Sequence, residues 1–499
     1  MLANTIKKIW HTLIEVYNEF SIESTIHGIK HTTHSKSITV RILWIIIVIL
    51  SFLASAKLAM LFYNRHQLAN MSTLIISPQV PTNTIPLPAV TLCHGNIAAM
   101  QKVLSYLSSQ EQIYIPRGLT KNDFEHSVRY LREAIYPKNH YPEELDKLQQ
   151  ILTANQLSLS ELFENISPNC TDFVMMCRLN GIFIPCNKML NRIITRYGIC
   201  CAFNYEDPRK NIKRSKEEES IPSYSLNFGS RYIMSFLMKP LPPRDRISSI
   251  IHGDGMKILI HEKYTYPGST AFQFIASSGQ EIIAKLYPTA LSSSSEILNL
   301  PTTVRGCYMA WSSQKNHRYR ADNCYTHCRE TITRKICGCV PFSASVMETK
   351  TDLKICNLTH ISCLARITLQ TYTLTLQDSE CDCLPDCESI SYKVAVTKLP
   401  MSAIQYSPGK FYEAAARISN ATILHVTFAR SSAILQRREL VLSWINLISS
   451  LGGVFSLFLG CSFISLVEIF YFFCIYFFYK LKFQRESLNS NNNMNRNYN

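Results

Sequence analysis

The stretch that decides the fold is LVLSWINLISSLGGVFSLFLGCSFISLVEIFYFFCIYFFY, residues 440–479, in which Glu468 is the only charged residue. A straight α-helix through all 40 residues would be about 60 Å long, twice the thickness of the hydrocarbon core of a bilayer. The run therefore predicts a membrane span that either projects from the bilayer or is broken. Gly452-Gly453 and Gly460 are the places where it could break, and irregular backbone at membrane depth survives only where it lines a cavity or water.

Another apolar run, residues 42–63, lies near the beginning of the chain and contains a single charge, Lys57. Its 22 residues satisfy the ~20 that an α-helix needs to cross a bilayer. Lys57 is close enough to one end for its ammonium group to reach the headgroups. A cleaved signal peptide is a weak alternative, because 41 residues precede the run. We therefore expect two transmembrane helices, 42–63 and 440–479.

The segment between the two runs, residues 64–439, is far too long for an ordinary loop. It contains 16 of the 18 cysteines, and all the Asn-X-Ser/Thr sequons fall within it. Glycosylation and disulfide bonds both belong to the extracellular side of a membrane. We therefore expect an extracellular disulfide-rich domain at 64–439, with cytoplasmic tails at 1–41 and 480–499. The sequons are Asn70, Asn165, Asn169, Asn357 and Asn420.

The extracellular segment reads as mixed α/β structure, with helical periodicity early and strand-like alternation late. The predicted helices are 98–109, 123–134 and 143–154, and the predicted strands are 257–266, 391–397 and 421–428. Residues 208–218, PRKNIKRSKEE, are interpreted as a solvated charged loop. The expected fold class is an integral membrane α+β protein, in which two transmembrane helices flank a large extracellular domain.

The cysteine spacing predicts a ladder of disulfides. Cys324 and Cys328 are four residues apart, which on a helix places both on one face, about 6 Å apart. Cys381 and Cys383 are two apart, which on a strand also places both on one face, about 6.6 Å apart. The spacings match, so a helix could be joined to a strand by adjacent bridges. The same ladder could include Cys337, Cys339, Cys356 and Cys363. A zinc cluster is the alternative, but C-x-C is not the usual zinc spacing.

The run 440–479 also has the features of an ion path. Small residues at 449–453 and 460–462 allow close helix packing, which any membrane protein can use. Glu468 indicates more, because a carboxylate inside a membrane is costly and usually faces a water-filled path. Two spans cannot enclose a pore, so several chains must contribute, and a ring of carboxylates and backbone carbonyls would attract cations. The residues alone therefore indicate an oligomeric cation channel with a disulfide-braced sensor domain.

Five motifs occur in an order that is typical of one family: FSIESTIHGIKH (20–31), LPAVTLCHGN (87–96), GICCAFNY (198–205), the cysteine-rich run from Arg305 to CDCLPDC (381–387), and LGGVFSLFLGCSFISLVEIFYF (451–472). Together they resemble the epithelial sodium channel/degenerin/acid-sensing channel superfamily over about residues 20–478. The doubled cysteine of GICCAFNY resembles the insect pickpocket branch in particular.

The resemblance implies a trimer with a clenched-hand extracellular domain and roles for individual residues. Gly460, Cys461 and Ser462 would form the selectivity filter, and Glu468 would be the pore carboxylate. Ser449 matches the position where bulky side chains hold degenerins open. The residues implied in gating are His27, Gly28, Ser449, Gly452 and Gly453.

The resemblance also implies a disulfide pairing. The implied bridges are Cys93–Cys200, Cys170–Cys177, Cys307–Cys387, Cys324–Cys383, Cys328–Cys381, Cys337–Cys363 and Cys339–Cys356. Cys186 and Cys201 are left over, and we expect them to pair with each other.

The expected function is therefore that of a subunit of a trimeric, amiloride-sensitive, sodium-selective channel. We expect it in the plasma membrane, gated through its extracellular domain, for sensory or epithelial sodium transport, with sodium as permeant ion and no cofactor or metal. Its partners would be lipid and identical or related subunits. The alternatives are an auxiliary subunit and an adhesion-type receptor that needs a partner channel. An enzyme is not expected, because G-x-S-x-G, H-E-x-x-H and P-loop motifs are missing. The chain has a formal net charge of +15, but a nucleic-acid partner is not expected, because an extracellular domain would never meet one.

Overall fold

The computed structural model describes residues 2–68, 71–108, 113–207, 224–225, 227–268, 270–310, 318–343, 354–373 and 381–483. The charged stretch 208–218 and the sequon at Asn70 lie outside these residues. The chain divides into two compact units, which we call the terminal unit (1–72 and 439–499) and the central unit (73–438).

In the described residues the helices are, in chain order, α1 Leu2–Glu23, α2 Ile29–His34, α3 Ile38–Gln67, α4 Met100–Ser108, α5 Lys121–Val128, α6 Arg132–Ile135, α7 Pro142–Ala154, α8 Leu159–Ile166, α9 Cys170–Phe173, α10 Cys186–Met189, α11 Ser295–Leu298, α12 Thr302–Arg305, α13 Ala321–Cys337, α14 Ile361–Thr373, α15 Lys410–Ala416, α16 Trp444–Leu459 and α17 Phe463–Phe470. The strands are β1 Met71–Pro81, β2 Ala89–His94, β3 Asn96–Ala99, β4 Val174–Leu179, β5 Ile182–Ile184, β6 Asn191–Thr195, β7 Gly198–Phe203, β8 Met234–Met238, β9 Arg246–Ser249, β10 Gly255–His261, β11 Phe272–Ser277, β12 Gln280–Ser293, β13 Ser389–Pro400, β14 Thr422–Phe428 and β15 Ser432–Leu440.

Among its described residues, the terminal unit contains two helices that are long and apolar enough to cross a membrane, Ile38–Gln67 and Phe463–Phe483. The first is α3, whose 30 residues give a length of about 45 Å at 1.5 Å per residue. It extends four residues beyond each end of the predicted span 42–63, because the helix continues into polar flanks. α16 packs against α3.

The run 440–479 is broken, and the break is at Gly460. α16 ends at Leu459, Gly460 adopts a left-handed φ of 64°, and α17 begins at Phe463. Glycine ends helices in this way because it has no Cβ to clash in the left-handed region. Gly452-Gly453, the other predicted place for a break, lies inside α16. After α17 the helix widens into a π-helical turn at Tyr471–Tyr476.

The central unit is built on two sheets that share an apolar core. The larger sheet has the order β1-β15-β12-β14-β8-β4-β5, with β13 also pairing with β12. The smaller is antiparallel, in the order β11-β10-β2-β7-β6. β14 reads TILHVTF and is buried along its whole length, as expected for a strand covered on both faces.

The predicted helices and strands of the central unit are confirmed with shifted ends. The helices 98–109 and 143–154 are α4 and α7, whereas 123–134 is divided among α5, a 3-10 turn and α6. The strands 257–266, 391–397 and 421–428 are β10, β13 and β14. α4, α5, α7 and α8 contribute to a second apolar core that includes Leu148 and Phe163. The helical and the strand periodicity of the sequence therefore both correspond to the secondary structure of the folded unit.

Eight disulfides fasten the central unit, and they use all 16 of its cysteines, which excludes the zinc interpretation. Six of the implied bridges are present: Cys93–Cys200, Cys307–Cys387, Cys324–Cys383, Cys328–Cys381, Cys337–Cys363 and Cys339–Cys356. One detail of the ladder is wrong, because Cys381 and Cys383 do not lie in a strand.

Two predicted bridges are wrong: Cys170 pairs with Cys201, and Cys177 pairs with Cys186. The hairpin of β4 and β5 explains the second pair, because it places Cys177 opposite Ile184, two residues before Cys186. Alternation along β7 explains the first. Successive side chains point to opposite faces, so Cys200 joins the second core and Cys201 the first, where Cys170 lies.

Candidate functional site

The candidate site is the break Gly460-Cys461-Ser462 in the terminal unit. A helix end leaves backbone carbonyls without intrahelical partners. The backbone N–H of His27 donates to the carbonyl oxygen of Leu459 at 2.9 Å. The segment between α1 and α2, residues 24–28, therefore lies directly against the broken span.

Two glycines permit this close approach. A Cβ added to Gly460 would lie 2.6 Å from Nδ1 of His27, and its φ of 64° already disfavours other residues. Gly28 has a φ of 85°, and a Cβ there would lie 2.9 Å from Cγ2 of Val48 in α3. The predicted gating pair His27-Gly28 is thus wedged between α3 and the predicted filter. Sequence reasoning placed both motifs but did not bring them together.

Glu468 lies in α17, six residues after Ser462, and is half-buried. Its Oε2 atom accepts hydrogen bonds from the backbone N–H of Thr25 at 3.2 Å and from the Thr25 hydroxyl at 3.1 Å. The Thr25 hydroxyl is also 2.7 Å from Oγ of Ser465. The predicted pore carboxylate is therefore held by the N-terminal segment.

Ser465 and Thr25 were missed from the sequence. Ser462 and Ser465 form a capping box at the start of α17: each backbone N–H donates to the other's Oγ, at 3.1 and 3.3 Å. The Ser-x-x-Ser spacing after a glycine is a signal that could have found Ser465. Thr25 has no such signal, because its partner is 443 residues away.

The C-terminal end of α1 packs against the helix that follows Glu468. The Phe20 ring packs edge-on against Phe472 and Phe473, with centroid distances of 5.6 and 5.2 Å. The Lys480 ammonium lies 2.8 Å from Glu19, and this hydrogen bond holds the pKa of Glu19 below its usual value. α1 is thereby attached to the π-helical turn.

The remaining predicted gating residues lie on α16. Ser449, Gly452 and Gly453 are exposed, and a Cβ on either glycine would meet nothing within 4 Å. Residues three and four apart share a helix face, so this small-residue face is uncovered in a single chain. Just before the start of α16, the carbonyl oxygen of Leu442 lies 2.9 Å from Nδ1 of His66 in α3.

Four of the predicted glycosylation sites lie in described parts of the central unit. Asn165 and Asn420 are exposed, whereas Asn169 and Asn357 are partly buried. Asn420 adopts a left-handed φ of 55°. Asn165 and Asn420 are therefore the more accessible acceptors.

A buried charge cluster lies at the start of α13 in the central unit. Arg320 forms an ion pair with Glu262, and its Nη1 lies 3.8 Å from Asp386, which also accepts from the backbone N–H of Ala321 at 3.3 Å. Burial raises the pKa of Asp386 to about 6, although Arg320 opposes the shift. A cavity of about 620 Å³ adjoins the cluster and is lined by Glu262, Asp322 and Asp386.

Comparison with known proteins covers both units. The profile of the family described as amiloride-sensitive sodium channel matches residues 20–472. The chain is 28% identical over 481 residues to sodium channel protein Nach of Drosophila melanogaster, covering 93% of this chain and 88% of that protein. It is 25% identical over 478 residues to sodium channel protein Nach of Drosophila ananassae, covering 95% and 88%. It is 24% identical over 476 residues to pickpocket protein 11 of Drosophila melanogaster, covering 93% and 76%.

Proposed function

The chain belongs to the amiloride-sensitive sodium channel family, a family of ion channels and not of enzymes, and on this basis we propose that it is a pickpocket-like subunit of a trimeric sodium-selective channel that amiloride blocks. The channel lies in the plasma membrane and is gated through the central unit. The channel serves sensory or epithelial sodium transport.

The observation that carries the proposal is the break at Gly460-Cys461-Ser462. Irregular backbone at membrane depth is stable only where protein or water satisfies its polar groups. Here the break is followed within two helical turns by Glu468, so non-helical backbone and a carboxylate lie in one short stretch. This combination can replace part of a cation's hydration shell and attract the cation to the site.

The uncovered face of α16 supports an oligomer. The described part of one chain supplies two apolar helices of membrane-spanning length, which cannot surround a pore. Ser449, Gly452 and Gly453 leave room on α16 for a neighbouring helix to approach closely. Three copies related by a rotation axis would bring the three breaks together around one path, with identical or related subunits as the partners.

The disulfides and sequons support the proposed topology. The bridged central unit is extracellular, because disulfides persist in oxidising compartments, and residues 1–41 and 480–499 are cytoplasmic. Glycosidase digestion of the expressed chain would check the extracellular sequons.

The test is a current measurement in oocytes that express the chain alone. The Ser449→Phe variant is expected to carry a larger sodium current than the wild type, and amiloride should block it. Ile448→Phe is the matched control, because Ile448 is exposed but lies about 100° around the helix from Ser449. Absence of sodium current at normal surface density, both alone and with related subunits, would contradict the proposal.

A further inference from the structure

We propose that the central unit binds a small organic carboxylate in a cavity between α6, α13 and α14, where Arg196 and Arg329 hold the charge of the ligand. We call this space the arginine cavity. It belongs to the central unit alone, so the binding of a ligand there does not depend on whether the chain conducts ions. The class of ligand follows from the volume of the cavity, its apolar lining and its charge.

The arginine cavity has the size of a single ring. Its volume is about 140 Å³, and it is partly open to solvent. A cavity of roughly 150 Å³ holds one benzene molecule. Its described walls come from five stretches of the chain: the end of α6, the turn between β6 and β7, the segment between β10 and β11, α13 with the residues that follow it, and α14. An occupant about as large as benzene would therefore fill the space between them.

Most of the lining is apolar and firmly fixed. Phe342 stacks on Phe163 with a centroid distance of 4.6 Å. The disulfide Cys337–Cys363 joins the end of α13 to the start of α14. The walls are therefore in place before a ligand arrives, so binding costs little ordering of the protein. Four apolar side chains of the lining are almost fully buried: Ile135, Phe342, Leu364 and Ile367.

The lining carries an excess of positive charge. Its charged members among the described residues are two arginines and one glutamate, Arg196, Arg329 and Glu330. Burial and the nearby charge of Arg196 hold the pKa of Arg329 below its usual value, although Asp322 opposes the shift. The two guanidinium groups therefore repel each other in a place that water reaches only partly. A bound anion would offset this repulsion.

A third cation lies beside Arg196, and one aromatic ring contacts both. Nζ of Lys257 lies 3.9 Å from the centroid of the Tyr197 ring, and Cζ of Arg196 lies 5.4 Å from it. Both contacts are favourable, because the face of the ring is negative. The Tyr197 hydroxyl donates to Oε1 of Gln273 at 3.0 Å, which fixes the ring. Burial and the charge of Arg196 lower the pKa of Lys257 to about 8, so the fold gathers these cations at a cost in solvation.

The combination of guanidinium groups and apolar walls selects the class of ligand. A guanidinium presents parallel N–H donors that match the two oxygens of a carboxylate. Sites for small organic molecules are mostly apolar, with a few polar groups that fix the orientation of the ligand. An inorganic anion would leave the apolar walls unused. The lining therefore favours a carboxylate on an apolar body no larger than one ring.

The first experiment compares three ligands on the unchanged chain. Benzoate has the ring and the charge, benzamide has the ring without the charge, and acetate has the carboxylate without the ring. Ligand-observed NMR titrations use the full chain in nanodiscs, with empty nanodiscs as the blank. We expect benzoate to bind about tenfold more tightly than benzamide or acetate. Absence of benzoate binding, or equal affinity for benzoate and either of the other ligands, would overturn the proposal.

The second experiment changes the charge of the lining in both directions. Arg196→Gln and Arg329→Gln should each weaken benzoate binding about tenfold, as the loss of a hydrogen bond between charged groups allows. Glu330→Gln removes the negative charge of the lining and should strengthen binding about threefold. Arg334→Gln is the matched control, because Arg334 is an exposed residue of α13 outside the lining, and its affinity should stay within about twofold of the parent. Affinities equal to that of the parent in all three lining variants would refute the assignment.

A current measurement keeps the site separate from the proposed channel. This step alone rests on the proposed function, in which the central unit gates the pore. In the Ser449→Phe background, benzoate should change the sodium current about fivefold, and the added Arg329→Gln substitution should remove this response. Benzoate binding without any current would support the site and contradict the proposed conduction. Sodium current without benzoate binding would support the channel and contradict the site.

Discussion

Different interactions stabilise the inside of the central unit and the inside of the terminal unit. In the central unit, eight covalent bridges and two extensive sheets fix the backbone, and α13 alone contains three bridged cysteines. In the terminal unit the critical region is a glycine break whose geometry depends on a few hydrogen bonds from residues 25–27. For the proposed channel, covalent bridges suit a part that passes on a displacement, and reversible hydrogen bonds suit a part that changes state.

The largest effect is expected from a substitution at Gly460, where the helix is broken. Gly460→Ala places a Cβ against the His27 ring and forces alanine into a left-handed conformation that costs about 1–2 kcal/mol. In a conducting background such as Ser449→Phe, we expect Gly460→Ala to abolish most of the amiloride-blocked current while surface density is unchanged. Gly229→Ala is the control, because Gly229 in the central unit has a similar φ of 65° but its Cβ would meet nothing within 4 Å. Comparable currents from the two alanine variants would show that the break is not the filter.

A smaller effect, on stability, is expected from removing disulfides of the central unit. Cys324–Cys383 and Cys328–Cys381 close almost the same loop, with sequence separations of 59 and 53. Removing both should lower the free energy of unfolding of the central unit by about 4 kcal/mol, whereas removing either alone should cost well under half of that, because the other still closes the loop. Thermal unfolding of the purified chain measures this. Two equal and additive losses would contradict the nested-loop explanation.

The smallest effect concerns the charge cluster at α13. The pKa of Asp386 is raised to about 6 by burial, with Arg320 and Arg438 opposing and Asp322 reinforcing the shift. The folded chain therefore binds this proton at a higher pH than the unfolded chain does. The resulting stability is complete below the unfolded pKa of about 4 and is lost as the pH rises through about 6.

Asp386→Asn tests this linkage. Relative to that variant, the wild type should gain thermal stability as the pH falls from about 7 to about 4, and the difference in unfolding midpoint should be plotted against pH. The charge of Asp386 also helps to raise the pKa of Glu262, so the difference between the two proteins reports the titration of this coupled pair. A pH-independent difference would show that Asp386 has an ordinary pKa.

The features that depend on local sequence pattern were predicted correctly. The features that depend on contacts between residues far apart in the chain were not. Hydropathy located both apolar runs, and periodicity located α7 and β14 within two residues. Glycine permits a break at Gly452-Gly453 as well as at Gly460, and propensity could not choose between them. The break occurs at Gly460, where the backbone N–H of His27 donates a hydrogen bond to the carbonyl of the preceding residue, Leu459. These two residues are 432 positions apart in the chain.

The same limit explains the bridges and the candidate site. Cysteine spacing does not fix connectivity, and the pairing of Cys177 with Cys186 needs the hairpin of β4 and β5. The motif residues of the filter could be identified one by one. Thr25 could not, because its role exists only where two ends of the chain meet.

The adjacent residues Cys200 and Cys201 have a consequence for how the chain is made. Their partners lie on opposite faces of β7, so sliding that strand by one residue would offer each thiol to the wrong side. An oxidant cannot tell two neighbouring thiols apart. Strand register is therefore what distinguishes them: the pairing of β7 with β2 and β6 sets which thiol faces Cys93 and which faces Cys170.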